Sequence, residues 1–345
     1  MITGILWAAG AAGLQPVAAS NSVEQAAGIA PSVDSLTSTQ LLTTIAQIRQ
    51  LDREELIAGP RVKLRGVVIE PSGIFMQQDT DGIELWEEDG QPQLTRNFGD
   101  YIEVEGQAKW VKKSGPKIDV KKVNILGKGE IPPPAHLSWS QMTSGKPIDR
   151  WVELDGVVRS TDGSHLLLMC DGGQVMATIR FAPAADVRKL VDATVRIRGV
   201  GVIATDDRGQ VQGVQLIVPS LDFVDVVNPA VDTFSLPARP IGTLLLIRPR
   251  QDLAHRVKVE GTVTWQQGSK VFLQDDSGSA MVVARQDVVL SEPVDRAMHW
   301  LFWQMPGTSR PAAGAPELAV GDQVQVVGFL ETGGESPVLT EVLFR

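Results

Sequence analysis

Apolar and polar residues alternate in one shared pattern along three stretches of the chain. These read RVKLRGVV from Arg61, WVELDGVV from Trp151 and RVKVEGTV from Arg256, with a glycine at the same offset in each: Gly66, Gly156 and Gly261. Period-two alternation turns Val62, Leu64 and Val68 to one face, and their counterparts are Val152, Leu154, Val158 and Val257, Val259, Val263. A glycine inside such a strand marks a bulge or bend, which a small barrel needs where its first strand curls to pair at both ends.

A second shared block follows each strand. FMQQDTDGI from Phe75, LLLMCDGGQV from Leu166 and FLQDDSGSA from Phe272 each run from an apolar segment into an Asp/Ser/Gly turn, which is hairpin chemistry. GDYIEVEG from Gly99, VDATVRIRG from Val191 and GDQVQVVG from Gly321 predict a fourth strand. KIDVKKVNIL, VQLIVPSLDFVDV and SPVLTEVLF predict the last. The repeat predicts an all-β protein of three tandem five-stranded Greek-key barrels of the oligonucleotide/oligosaccharide-binding (OB) type with short connecting helices.

Between these blocks lie the joints. Leu41, Leu42, Ile45, Ile48 and Leu51 recur at helical spacing and predict an amphipathic helix over 39–51, capped by Ser38 or Thr39, that docks on the first barrel. Prolines in IPPPA from Ile131, followed by a short helix over Ser138–Met142, separate barrels one and two, and Pro229–Leu253 separates barrels two and three. The expected domains are a linker and helix at 20–55 and barrels at 56–134, 135–230 and 231–345. The third barrel carries an insertion at 286–318, between its third and fourth strands.

Residues 1–19 read as a signal peptide, with an apolar run from Ile2 to Leu14 and small residues Val17-Ala18-Ala19 before Ser20. No Lys or Arg precedes Arg49, so the basic leader of such a peptide is missing. The expectation is a periplasmic or otherwise extracytoplasmic protein. No run of about eighteen apolar residues occurs, so membrane attachment is expected only through a C-terminal segment beyond Arg345.

Composition narrows the chemistry. A net charge of −9 opposes polyanions over the protein as a whole, and on this ground nucleic acid is counted against as a partner. The single cysteine, Cys170, excludes an intrachain disulfide and Cys/His zinc clusters. His136, His165, His255 and His299 are scattered and sit in no catalytic motif, so no enzyme activity and no cofactor are expected. Asp79, Asp81, Asp275 and Asp276 fall short of a calcium ligand set and read as turn residues.

The order WSQMTSG, WVELDGVV, VFLQDDSGSAMV and VGFLETGGESPVLTEVLFR resembles the tandem OB-type extracytoplasmic regions of large bacterial sensor histidine kinases, over residues 40–345. The resemblance implies a non-catalytic input module of two-component signalling that binds an unidentified small ligand or protein. Kinase activity belongs to a core that this chain does not contain.

Two groups stand out as candidate sites. In the insertion, Met298, His299, Trp300, Phe302 and Trp303 form an aromatic and methionine cluster able to anchor a partner, or else a helix plugging the barrel. In barrel one, Trp110, Lys112, Lys113 and Lys121, with Lys109, Lys117 and Lys122, could pair with Trp86 and Phe75 to hold a single nucleic-acid strand. Equally, these lysines could be the solvated edge of a hairpin. A spacer that only sets distance is the third reading.

Overall fold

Each alternating segment becomes a first strand that pairs on both of its edges, and this closes three barrels in turn. The computed structural model describes residues 41–87, 96–112, 114–144, 148–205, 210–246, 254–284, 318–331 and 336–345. All of them belong to the second of the chain's two units, Thr39–Arg345. Barrel one is preceded by α1 (Ile45–Gln50) and α2 (Arg53–Ile57) and contains β1 (Arg61–Val68), β2 (Phe75–Gln78), β3 (Asp81–Trp86), β4 (Asp100–Val111) and β5 (Gly115–Lys128). Its strand order is β1-β2-β3-β5-β4, closed by β4 on β1, with β3 and β5 parallel.

Barrel two opens with β6 (Ala135–His136) and α3 (Trp139–Met142), then β7 (Arg150–Thr161), β8 (His165–Cys170) and β9 (Gly173–Phe181). After α4 (Ala184–Arg188) come β10 (Thr194–Thr205), β11 (Val211–Ser220) and β12 (Val224–Asn228). It closes by β10 on β7, with β6 and β12 as added edge strands. Barrel three repeats the order in β13 (Arg256–Gln267), β14 (Lys270–Asp275), β15 (Gly278–Val283), β16 (Gln323–Glu331) and β17 (Val338–Phe344), closed by β16 on β13.

The nine residues placed inward by alternation are all buried, from Val62 and Leu64 to Val263. The shared glycine sits where the second strand's backbone crosses the first. A Cβ on Gly66 would lie 2.4 Å from the Gln77 carbonyl oxygen, and one on Gly261 would lie 2.9 Å from that of Gln274.

Each barrel is sealed by a short apolar plug that precedes its first strand. Ile45 and Ile48, Trp139 and Met142, and Ile241 and Leu244 occupy equivalent positions three residues apart, so they share one helical face. Before each plug one extended residue pairs in parallel with the first strand: Leu42 with Val62, Ala135 with Val152, Ala238 with Lys258. The second strand holds the plug at its start. The Ile45 N–H donates to Gln78 Oε1 (2.9 Å), and at the matching place the Ile241 N–H donates to Asp275 Oδ2 (2.8 Å).

The expected helix over 39–51 is therefore shorter. It begins after Thr44, whose side chain and that of Gln47 form a reciprocal cap, while Leu42 is extended. Strand pairing of Leu42 outcompetes the helical period there. Ile241 and Leu244 lie within the expected joint Pro229–Leu253 and belong instead to the core of barrel three.

The joints are packed. Between barrels one and two, Phe98, Trp151 and Phe223 meet with ring centroids 5.3–5.9 Å apart, beside Ile69 and Phe75. The Trp151 N–H donates to Gln77 Oε1 (2.8 Å), and Arg49 bonds both the Gly82 carbonyl and Asp149. Between barrels two and three, the Arg159 and Arg256 guanidinium groups lie 4.7 and 5.0 Å from the centre of the buried Phe329 ring, and Arg159 also pairs with Glu331. Among the described residues no helix is long and apolar enough to cross a membrane.

Ile48→Ala removes half of the first plug and is expected to cost about 2–5 kcal/mol in urea unfolding. Leu41→Ala, at a residue 43% exposed, is expected to change stability by less than about 0.5 kcal/mol. Equal small effects would show that the plug does not seal the core.

Candidate nucleic-acid interface

The β4–β5 hairpin of barrel one concentrates charge that the whole chain does not show. From Lys109 to Lys128 the sequence has seven lysines and one acid, Asp119. Asp119 is buried on the outer side of β5, and its carboxylate takes both the Lys109 ammonium and the Lys121 ammonium, the latter at 3.1 Å. Burial works against the Asp119 charge, yet hydrogen bonds from the two lysines outweigh it and hold the carboxyl below its ordinary range. One carboxylate thus fixes two cations and leaves the patch positive.

Lys109 lies over the ring of Trp86, 5.6 Å from its centre. Trp110, next along β4, is 37% exposed, and Lys112 is exposed at the turn. Lys117 reaches back to Glu84 at 2.6 Å, and burial pushes the Glu84 carboxyl up despite that partner.

A β-bulge shapes the other end of the patch. Glu105 pairs with Lys122 and Gly106 with Val120, so Lys121 is the extra residue, and Lys121 and Lys122 are both exposed. Beside them, Lys63 Nζ meets Glu103 at 3.1 Å and Glu105 at 2.9 Å. Arg61, Lys63, Lys121 and Lys122, with Glu105, Gln107 and Leu41, line a groove of about 510 Å³.

Of the expected strand-binding group, Trp110 and Lys112 lie near the tip of the β4–β5 hairpin, whereas Lys121 sits at the bulge several residues back along β5; Lys113 lies outside the described residues. Phe75 is not available to stack, because its ring is buried in the joint under Trp151. Met298, His299, Trp300, Phe302 and Trp303 all lie outside the described residues. Asp119, Arg61 and Gln107 were missed by sequence reasoning. The signal for the bulge was present in Val120-Lys-Lys-Val123, where two polar residues in a row break the period of two. Trp265 and Phe272, an exposed pair with rings 5.5 Å apart on barrel three, were also passed over.

Elsewhere the chemistry is structural. Asp162 Oδ2 and Ser164 Oγ both meet the same nitrogen, Nδ1 of His165, so the three form a local turn and not a proton relay. Burial pushes the Cys170 thiol up to about 12, which keeps it unreactive near neutral pH. Among the described residues no three His, Cys, Asp or Glu side chains group as a metal site.

No family model matches the chain, and no curated protein matches it. Among solved structures, it is similar to the p202 HIN2 domain in its tetrameric crystal form, with 13% identity over 56% of this chain and 92% of that one and a TM-score of 0.22. It is similar also to a murine DNA-binding protein bound to double-stranded DNA, with 11% identity over 56% and 94% and a TM-score of 0.22. A multidomain protein with nucleic-acid-binding domains from Streptococcus pneumoniae TIGR4 shares 11% identity over 81% and 72%, with a TM-score of 0.16.

The expectation that counted nucleic acid out as a partner is corrected here. The net charge of −9 on which that expectation rested hides the lysine-rich hairpin, because a sum over the chain does not describe the field at one surface.

Asp119 gives a test of the patch's electrostatics. Its folded pKa is depressed, so its contribution to stability is complete above about pH 4, the ordinary carboxylate value, and is lost as pH falls through the depressed value. Asp119→Asn is expected to flatten that part of the acid limb in urea titrations at stepped pH. An unchanged limb would show that the lysines do not hold this carboxylate.

Proposed function

We propose that the protein is a non-catalytic binding protein whose first barrel takes a single nucleic-acid strand across its β4–β5 hairpin. The observation that carries the reading is the exposed Trp110 near the tip of the lysine-rich β4–β5 hairpin, the ribbon that OB barrels use for oligonucleotides. A stacked base gains from the indole face whatever its identity, and the ammonium groups meet the phosphates, so binding tolerates sequence and responds to salt. In barrel one the other usual surface, the face of the second and third strands, is covered by β7 of barrel two, where the Trp151 N–H bonds Gln77. The hairpin is the part of the site left open.

Export and a sensing role complete the proposal as its compartment and its output. They rest on the apolar leader Ile2–Leu14 and on the resemblance to sensor-kinase input regions. Recovery of the mature chain in the periplasmic fraction supports this part, and recovery only with cytoplasmic markers overturns it.

The binding test uses a fluorescent poly-dT strand titrated at several salt concentrations. Wild type is expected to bind with a linear fall of log K against log salt, and Lys112→Ala to reduce the slope by about 0.7. Trp110→Ala is expected to weaken binding by about 1–3 kcal/mol. A protein that binds no strand at low salt, or binds equally well with both residues replaced, sinks the proposal.

A further inference from the structure

We infer that the groove beside the hairpin is a separate site for a phosphorylated sugar, of the kind found in a nucleotide. The inference extends the strand-binding proposal to the class of ligand end-group, and it stands on different residues.

Two cross-strand rows build the floor of the groove. Lys63, Glu105 and Lys122 face one another across β1, β4 and β5, and one step along the sheet Arg61 faces Gln107. The rows are two residues apart, or about 7 Å. The bulge at Lys121 puts a further ammonium between them, on the same outer side as Lys122. Leu42 pairs with Val62 and carries Leu41 over the edge as a wall.

The charges do not cancel. Lys63 bridges Glu103 and Glu105, and Arg65 also pairs with Glu103 at 2.8 Å, so two cations already answer these two carboxylates. The guanidinium of Arg61 and the ammonium of Lys122 make no hydrogen bond among the described residues, and both line the cavity. A tetrahedral dianion satisfies such a set of converging cations better than a carboxylate, because it offers three oxygens in different directions. Glu105 and Gln107 add an acceptor and an amide at the same place, which suits hydroxyl groups. At about 510 Å³ the groove exceeds what an isolated phosphate fills and has the size of a small-molecule site. Phosphate and hydroxyls on one compact unit define a sugar phosphate.

Such a unit has two sources, a free nucleotide or sugar phosphate and the phosphorylated end of a strand. From Gln107 to Lys109, the next residue of β4 on the same face, is about 7 Å, so a strand end in the groove leaves its next phosphates within reach of the hairpin's lysines.

Calorimetric titration of the full chain with AMP and with ribose 5-phosphate, against adenosine and ribose at constant ionic strength, tests the site. Saturable binding is expected of the two phosphorylated compounds only. The double variant Arg61→Gln, Lys122→Gln is expected to bind them at least about tenfold more weakly, with an unchanged urea midpoint, while Lys112→Ala binds as wild type. Binding of ribose as tight as ribose 5-phosphate, no saturable binding of either phosphate, or a double variant with unchanged affinity would each overturn the assignment. A strand carrying a 5′-phosphate is then compared with the same strand ending in a hydroxyl. Preference for the phosphorylated end assigns the strand as source, and AMP binding without that preference assigns the free ligand. A wild-type chain that binds poly-dT but not AMP defeats the groove alone, and one that binds AMP but not poly-dT defeats only the strand-binding proposal.

Discussion

A sheet of five short strands closes only if its first strand pairs along both edges, and every other feature of the three barrels follows from that demand. The first strand has to curl hard enough to meet the second strand with one half and the fourth with the other. It does so at a glycine because the neighbouring backbone passes where a side chain would stand, as the Gln77 oxygen does at Gly66. Closure then leaves a core open at an end, and each barrel brings its own apolar pair, such as Ile45 and Ile48, to seal it. The plug is tied to the second strand by the side chain that ends it, Gln78 in one case and Asp275 in another. Fold and plug are therefore one repeating unit, longer than the barrel alone.

The way these units join decides which surfaces stay open. Barrel two is set against the second and third strands of barrel one through Trp151, Phe98 and Phe223, and this removes the broad face on which an OB barrel commonly stacks its ligand. What remains on barrel one is the long β4–β5 ribbon and the groove between it and β1. In the joint to barrel three, Arg159 and Arg256 both lie within 5.0 Å of the centre of the Phe329 ring, and these arginines are spent on packing rather than on a ligand.

The hairpin shows how one buried acid can organise a basic surface. Without Asp119, Lys109 and Lys121 would repel each other and hold no common geometry; with it, both are fixed and the field stays positive. The β-bulge does comparable work by geometry, since it turns Lys121 and Lys122 to one side where strict alternation would have buried one of them. Charge count alone hides both effects.

Much of this was legible in the chain. Alternation named the nine inward residues of the first strands, the glycine offsets named the bends, and the Asp/Ser/Gly turns named the hairpins, because each depends on a few neighbouring residues and on the period of two. Helical period misplaced the start of α1, since Leu42 gains more by pairing with Val62 than by joining the helix. Phe75 looked like a stacking ring in sequence and proved to be part of a joint, since nothing local tells a strand which domain will cover it. Arg61 and Gln107 carried no signal at all, being sixty and more residues from Lys122 or set among other polar residues. The sequence by itself determined three barrels and a run of lysines, for these are properties of short segments. Only the tertiary structure decided which of those lysines face a groove, which carboxylate holds them and which faces are closed, because those depend on register across strands and on contacts between units far apart in the chain.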